Sequence, residues 1–560
     1  MSAAMNLDPV TLAVVHNGLR AIASEMDLAH EKASFSPIIA ESFDRANGIY
    51  HRDNGEVIAQ GDRGLPTFVG VMQFTTEAVI ERRRDIQPGD VVIVNDPYVG
   101  GTHLMDVKMV MPFYYHDRLW CYLTNSGHWP DTGGMVPGGF ATNATEIEQE
   151  GLRLPPVKLY RQDQLDRDVL DIILSNIHVP GERIGDIEAQ VGALRVGARQ
   201  LTQMLDRYGA ELVDAAVDEL RDRSERLMRS HIEAIPDGTY SFESLMDNDG
   251  VDDKPLRVHL DLTVRGSDLI FDLSKSSPPC RGPLNSVWAI TRSAIYIAMK
   301  HVFPEVPINS GCFRPLHIPK PTGTFLYAEY PRAVSGCAAE VSQRLIEVVF
   351  GALGQAIPDQ IVAAPFSCSG NFSLGGYDPE LERHYVMINF SGGGYGASID
   401  TDGLSNAAAS IGVSKSMPVE MIEERYPLLF EEYALRADSG GPGKRRGGFG
   451  VSYRARLLRG EGVASFLMEH GKYQPHGLAG AGGGVLNEVL IQRNGKTEQL
   501  ELISKGSGIR LAPGDRVTVR TPGGGGFGDP RRRERELVAR DLRRGYISLD
   551  SARRHYGWTD

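Results

Sequence analysis

The chain has 560 residues, too many for one ordinary hydrophobic core, so two or more packed units are expected. Apolar residues make up 41% and charged residues 23%, the balance of a folded globular protein rather than a disordered one. The net charge of −13 repels phosphate backbones, which argues against nucleic acid as a partner.

At the N-terminus Asp8 stands where a helix cap accepts free backbone N–H groups, and Pro9 suits a first helical position. Leu12, Val15, Leu19, Ile22 and Met26 follow at helical spacing, which predicts an amphipathic helix over 9–33. From about 35 to 130 the texture changes to short strands and tight turns. Asp53-Asn54-Gly55 between NGIYHR and EVIAQ is a hairpin signal, and Gln87-Pro88-Gly89-Asp90 is a turn before the apolar strand VVIVN. MVMPFYY and LWCYLTN flank His116-Asp117-Arg118 and read as a second hairpin. Residues 133–151, rich in Gly, Thr, Asn and Pro, read as a long functional loop.

Residues 160–233 are mostly helical, with a break near Tyr208-Gly209. After Pro236-Asp237-Gly238, alternation in RVHLDLTV and LIFDL marks strands, and 284–302 and 341–357 are further helices. The chain is Gly-rich and strand-like from about 385 to 525 and closes with two short helices over 530–558. The expected class is α+β and multi-unit: a strand-rich N-terminal region, a helical middle and a Gly-rich, strand-containing C-terminal half. The expected regions are 1–158, 159–235, 236–385 and 386–560.

Cys121, Cys280, Cys312, Cys337 and Cys368 form no CxxC pair and are odd in number, so a reducing compartment fits better than a disulfide framework. No apolar run reaches the roughly 18 residues of a spanning helix. The stretch MSAAMNLDPVTLAVV lacks a basic segment followed by a long apolar one, so no signal peptide or membrane partner is expected and the cytoplasm is the default. The short basic run Arg531-Arg532-Arg533 reads as a solvated helix start.

The densest chemistry lies in NDPYVGGTHLMD and SGHWPDTGG, which bring Asp96, His103, Asp106, His128 and Asp131 into one stretch. If the two strands pair about the 116–118 turn, Asp106 falls nearly opposite Gly127, beside His128. His103 follows a Gly-Gly turn, which lets the backbone bend so that His103 and Asp106 converge. Two imidazoles with one or two carboxylates make a mixed N/O donor set that suits Zn, Mn or Fe(II). Such an ion polarises a carbonyl or phosphoryl oxygen, or lowers the pKa of bound water toward ~7. The same residues would also serve as hydrogen-bonding groups at a hairpin end, and spacing alone leaves both readings open.

DPVTLAVVHNGLRAIASEMDLAHEKASFSP, NDPYVGGTHLMD, SGHWPDTGG and EGLRLPPVKLY resemble the hydantoinase B/oxoprolinase family, as do INSGCFRP, SQRLIEVVFGAL, RADSGGPGKRRGGFG and TPGGGGFGDP. The resemblance runs from Asp8 to Tyr556. It implies one subunit of an ATP-dependent complex of the N-methylhydantoinase, 5-oxoprolinase or lactamase kind, or of an acetone or acetophenone carboxylase. It also implies a hydantoinase A-type companion with an actin-like fold, which binds ATP and phosphorylates the substrate carbonyl. This chain would receive the activated intermediate at one divalent metal, zinc first, with manganese or iron as alternatives. Carried over residue by residue, the ligands are Asp44 of ESFD, His103 and Asp106 of GGTHLMD, and His128 of SGHWPD. Asp131 would orient a histidine or the attacking water, and Asp131 or Asp96 would assist as base.

Some positions depart from the family pattern. Ser42 replaces the arginine of ER-x-D, and RANGIY follows Asp44 in place of an apolar-small run. Cys337 and Ala338 replace a Gly-Asn pair, and MEHGKYQPHG replaces the usual segment before P-x-G. The metal set is untouched, but the substrate pocket is altered, so no particular lactam or ketone is carried over. The expected function is the metal-bearing subunit of an ATP-dependent cyclic amidase for a small hydantoin, 5-oxoproline or lactam. The alternatives are the matching subunit of a ketone carboxylase and a non-catalytic scaffold with a structural metal.

The Gly-rich segments 440–448 and 522–530 fail the P-loop spacing and read as tight turns. Cys337 and Cys368 read as small buried residues, and DNDG at 247–250 as a turn. Glu150 and Arg153 either line the active-site loop or are surface charges. Asp186 and Gln190 are read as bonding to nearby backbone.

Overall fold

The computed structural model describes residues 7–412 and 414–559; the first six residues of the N-terminal stretch lie outside these. Helix α1 (Pro9–Ala33) forms as expected: Asp8 accepts from the Val10 and Thr11 N–H groups, and the stripe from Leu12 to Met26 is buried. The short α2 (Pro37–Ala40) leads to β1 (Arg45–His51) and β2 (Val57–Gln60), then α3 (Pro66–Arg82) and β3 (Val91–Val94). β4 (Asp106–Tyr115), β5 (Arg118–His128), β6 (Val157–Arg161) and β7 (Gln164–Leu165) complete one antiparallel sheet, ordered β2-β1-β5-β4-β3-β6-β7.

Helix α3 departs from the strand-and-turn texture expected over 35–130. Thr67, Phe68, Val71, Met72, Thr75, Thr76 and Val79 are all buried, so the segment has no broad polar face to mark a helical period. Its β-branched residues also read locally as strand. The second hairpin forms, but Asp106 pairs with His128 rather than Gly127, because a bulge between Phe113 and Tyr114 shifts the register by one.

The helical middle consists of α4 (Arg167–Ser175), α5 (Pro180–Tyr208) and α6 (Ala210–Ile232), broken at Gly209 with φ 83°. Helix α1 packs on α5, and Gly197 permits the approach: a Cβ there would stand 2.4 Å from Met26 Sδ. β8 (Gly238–Met246), β9 (Leu256–Arg265) and β10 (Asp268–Asp272) form a meander, with α7 (Trp288–Val302) next in the chain. β11 (Leu316–His317) joins β10 in parallel, and α8 (Ser342–Ala356) packs on β8 and β9.

The C-terminal part contains β12 (Asn371–Asp378), β13 (Arg383–Asn389), α9 (Val419–Arg425), β14 (Leu428–Leu435), β15 (Val451–Leu457) and β16 (Gly462–Leu467). β17 (Glu488–Arg493), β18 (Lys496–Gln499), β19 (Lys505–Leu511) and β20 (Arg516–Arg520) follow, then α10 (Arg535–Arg543) and α11 (Leu549–Tyr556). These strands make two sheets, β13-β12-β16-β19 and β14-β15-β20-β17-β18. One apolar cluster runs from Leu12 to Leu467 and spans the expected region boundaries at 158/159 and 235/236. A second cluster, from Phe372 to Val519, unites the two C-terminal sheets.

The Gly-rich segments lie against each other. Gly441 N–H donates to Gly524 C=O at 2.8 Å, and Arg445 and Phe527 exchange bonds of 3.0 and 2.9 Å. A Cβ at Gly447 would lie 1.9 Å from Gly524 O, so these glycines serve close backbone packing. All five cysteines are free and buried. Among the described residues, no helix is long and apolar enough to cross a membrane.

Candidate metal centre

Three short segments converge on one point. Asp106 opens β4 and His128 closes β5, so the two face each other across the strand pair. His103 stands three residues before Asp106, after the turn at Gly100, whose φ is 67°. Asp44 lies just ahead of β1, after Phe43 with φ 61°. Gln190 of α5 clamps the hairpin from outside: it donates to Val107 C=O at 3.0 Å and accepts from Trp129 Nε1 at 3.0 Å. Asp186, one turn earlier, accepts from the Phe35 and Ser36 N–H groups. Both side chains therefore reach distant segments instead of nearby backbone.

His103 Nε2 lies 2.9 Å and His128 Nδ1 3.0 Å from the same atom, Asp106 Oδ1. Asp44 Oδ2 is 3.6 Å from His128 Nδ1. His103, Asp106 and His128 each offer a donor atom, and the three atoms lie within 4.8 Å of one another. All four residues are buried. The Asp44 side chain accepts no hydrogen bond from any described residue, and its buried Oδ1 has no polar partner among them. An uncompensated buried carboxylate costs several kcal/mol, so a site of this kind calls for a cation. The donor set of two imidazoles and two carboxylates fits a divalent ion.

The electrostatics follow from this crowding. Burial, and then the Asp106 charge, push the Asp44 carboxyl well above the usual carboxylate range. Burial acts the same way on Asp106, but the charge and hydrogen bond of His103 and the hydrogen bond of His128 outweigh it and hold that carboxyl well below the range. Burial depresses His128, with Asp106 opposing.

Other groups orient the cluster. His103 Nδ1 sits 3.0 Å from the Ser335 carbonyl oxygen, an acceptor that keeps the proton on Nδ1 and leaves Nε2 facing the carboxylates. Ser335 is itself held by Glu150, whose buried Oε1 accepts from the Val334 and Ser335 N–H groups at 2.9 and 2.8 Å. Thr102 Oγ1 donates to Asp106 Oδ2 at 2.5 Å, and the buried Lys108 Nζ donates to Thr102 Oγ1 at 2.5 Å and to Asp106 O at 3.0 Å. Thr102 lies within the NDPYVGGTHLMD motif and Lys108 two residues beyond it, but nothing in the sequence singled out either. No local signal in the sequence pointed to Ser335.

Asp131 and Asp96 are placed elsewhere. Asp131 is buried, and its carboxylate accepts from Gly133 N at 3.0 Å, His178 N at 2.5 Å and Val179 N at 2.8 Å, and pairs with His178 Nδ1 at 2.9 Å. It orients a histidine, but that histidine is His178. Asp96 caps Tyr98 N at 3.0 Å and pairs with Arg153 at 3.2 Å. Neither lines the cavity described next.

The four clustered residues lie in the wall of a cavity of about 390 Å³. Phe68, Phe140, Phe390 and Ile411 make its apolar surface, and the Phe140 ring centroid is 5.7 Å from His103 and 6.1 Å from His128. Ala338, at one of the positions that depart from the family pattern, also lines it, together with Ala339.

The family model for hydantoinase B/oxoprolinase matches residues 8–530. The beta chain of a caprolactamase from Pseudomonas jessenii is 34% identical, over 98% of this chain and 96% of its own. A protein assigned as the B-type component of a D-/L-hydantoinase from Pseudomonas sp. (strain NS671) is 31% identical, over 99% and 95% respectively. The crystal structure of ATP-dependent caprolactamase from Pseudomonas jessenii is similar with a TM-score of 0.91 at 32% identity, covering 99% of this chain and 96% of that one.

Proposed function

Because the chain belongs to the hydantoinase B/oxoprolinase family, we propose that it is the metal-bearing subunit of an ATP-dependent cyclic amidase. Its substrate is a small hydantoin, 5-oxoproline or lactam ring. Its partner is a hydantoinase A-type subunit with an actin-like ATPase fold, which binds ATP and phosphorylates the ring carbonyl. The observation that carries this reading is the Asp44 carboxylate, buried without a hydrogen-bond donor beside His103, Asp106 and His128 on an apolar cavity.

Asp44, His103, Asp106 and His128 would hold one divalent ion, zinc first and manganese or iron next. Such an ion supplies Lewis-acid polarisation of an oxygen and a lowered pKa for water. The Ser335 carbonyl fixes the His103 tautomer, and Thr102 with Lys108 fixes Asp106. Phe68, Phe140 and Phe390 take the ring methylenes and exclude bulk water from them. No base role is assigned to Asp131 or Asp96, whose carboxylates are engaged elsewhere. Five free cysteines suit the cytoplasm.

The test is elemental analysis of the purified chain, then hydrolysis assays on hydantoin, 5-oxoproline and lactams with the partner and ATP. A stoichiometric divalent metal and ATP-dependent ring opening are expected. His103→Ala should keep the fold and the complex and lose turnover; undiminished turnover would leave the chain a scaffold. A requirement for bicarbonate, with its carbon in the product, would select a carboxylase instead.

A further inference from the structure

The cavity that Asp44, His103, Asp106 and His128 line is also lined by Ser414, Lys415 and Ser416, and Lys415 is exposed to solvent. We propose that Lys415, with the hydroxyls of Ser414 and Ser416, is an oxyanion-recognition set. The ligand of this cavity then has an apolar body and a phosphoryl or carboxylate group held by Lys415. The inference rests on the cavity being the substrate site proposed above.

Lys415 is the one lysine or arginine among the described lining residues. Its ammonium makes no ion pair with any described carboxylate, and sits 4.3 Å from the centroid of the Phe43 ring. An aromatic face positions a cation without neutralising it, so the charge stays available to a ligand. The Lys415 N–H donates to Ser42 C=O at 3.0 Å, which ties this segment to the turn that carries Asp44. The anion set and the metal set are thereby held in fixed relation. The Ser414 and Ser416 hydroxyls make no hydrogen bond with any described residue, so both are free to donate. An ammonium and two hydroxyls are donors that suit a phosphoryl or carboxylate group. Phe68, Phe140, Phe390 and Ile411 line the same cavity and supply its apolar surface.

The test is calorimetric titration of the full purified chain with phenyl phosphate, benzoate and neutral benzamide. Lys415→Gln should weaken binding of at least one of the two anions about tenfold, with benzamide unchanged, and Lys415→Arg should stay within about threefold of wild type. Loss confined to phenyl phosphate identifies a phosphoryl ligand, and loss confined to benzoate a carboxylate. Undiminished binding of both anions by Lys415→Gln, or binding of neither by the wild type, overturns the inference. Lactam turnover by the wild type with partner and ATP, alongside such a result, would leave the proposed function standing. Lys415-dependent anion binding with no cyclic amide opened would do the reverse.

Discussion

Asp106 and His128 face each other across the β4–β5 strand pair, with Asp106 Oδ1 3.0 Å from His128 Nδ1. The bulge between Phe113 and Tyr114 creates this pairing. Without it Asp106 would face Gly127, and the carboxylate and imidazole would point to opposite faces of the sheet.

Asp106 Oδ1 is the atom that both imidazoles approach, so Asp106→Ala should release the metal. Loss of an outer partner alone typically costs ~10–100-fold in metal affinity, and loss of this shared group should cost at least that. Metal content per chain after dialysis measures it. Retention at the wild-type level would remove Asp106 from the ligand set.

A chain stripped of metal by chelation should become less stable as pH rises. The Asp44 carboxyl is pushed above its ordinary value of 3.8 in the fold, so the folded state binds that proton more tightly than the unfolded chain does. Its contribution is fully present below about pH 4 and is lost as pH rises through the folded value. Asp44→Asn should flatten this dependence and, at pH 8 without metal, melt above stripped wild type. Parallel pH–stability curves for the two proteins would contradict the account.

Glu150 should tolerate glutamine and not alanine. Burial pushes its carboxyl up to about 8, so near pH 7 the group is mostly protonated and glutamine is a close mimic. Its contribution to stability is present below pH 4.5 and lost as pH rises toward 8. Glu150→Ala leaves the Val334 and Ser335 N–H groups without their acceptor, at about 1–3 kcal/mol each, and loosens the carbonyl that orients His103. Denaturant unfolding and metal affinity should both fall for alanine and hold for glutamine at pH 7.

Gly447→Ala should destabilise the C-terminal part by about 3 kcal/mol, because the new methyl meets Gly524 O with no flexible side chain to yield. Denaturant unfolding reads the loss. A neutral effect would reopen a ligand-binding role for the Gly-rich segments.

The local signals held wherever the cause was local. The Asp8 cap, the stripe from Leu12 to Met26, the 53–55 turn and the break at Gly209 each depend on a few adjacent residues, and each formed. Helix α3 was illegible because its neighbours bury nearly every side and erase the polar face. The donor residues His103, Asp106 and His128 were legible from their hairpin and the Gly-Gly turn, but Asp44 came only through the family resemblance.

By itself, then, the sequence determined the capped first helix, the paired strands, the helical middle and the closeness of His103, Asp106 and His128, since period, capping and turn geometry act over a few residues. Only the tertiary structure decided the register of Asp106 on His128, the diversion of Asp131 to His178, and the placing of Ser335 on His103 from 232 positions away. Those outcomes depend on which distant backbone groups need a partner once water is removed, and no local window of sequence contains that information.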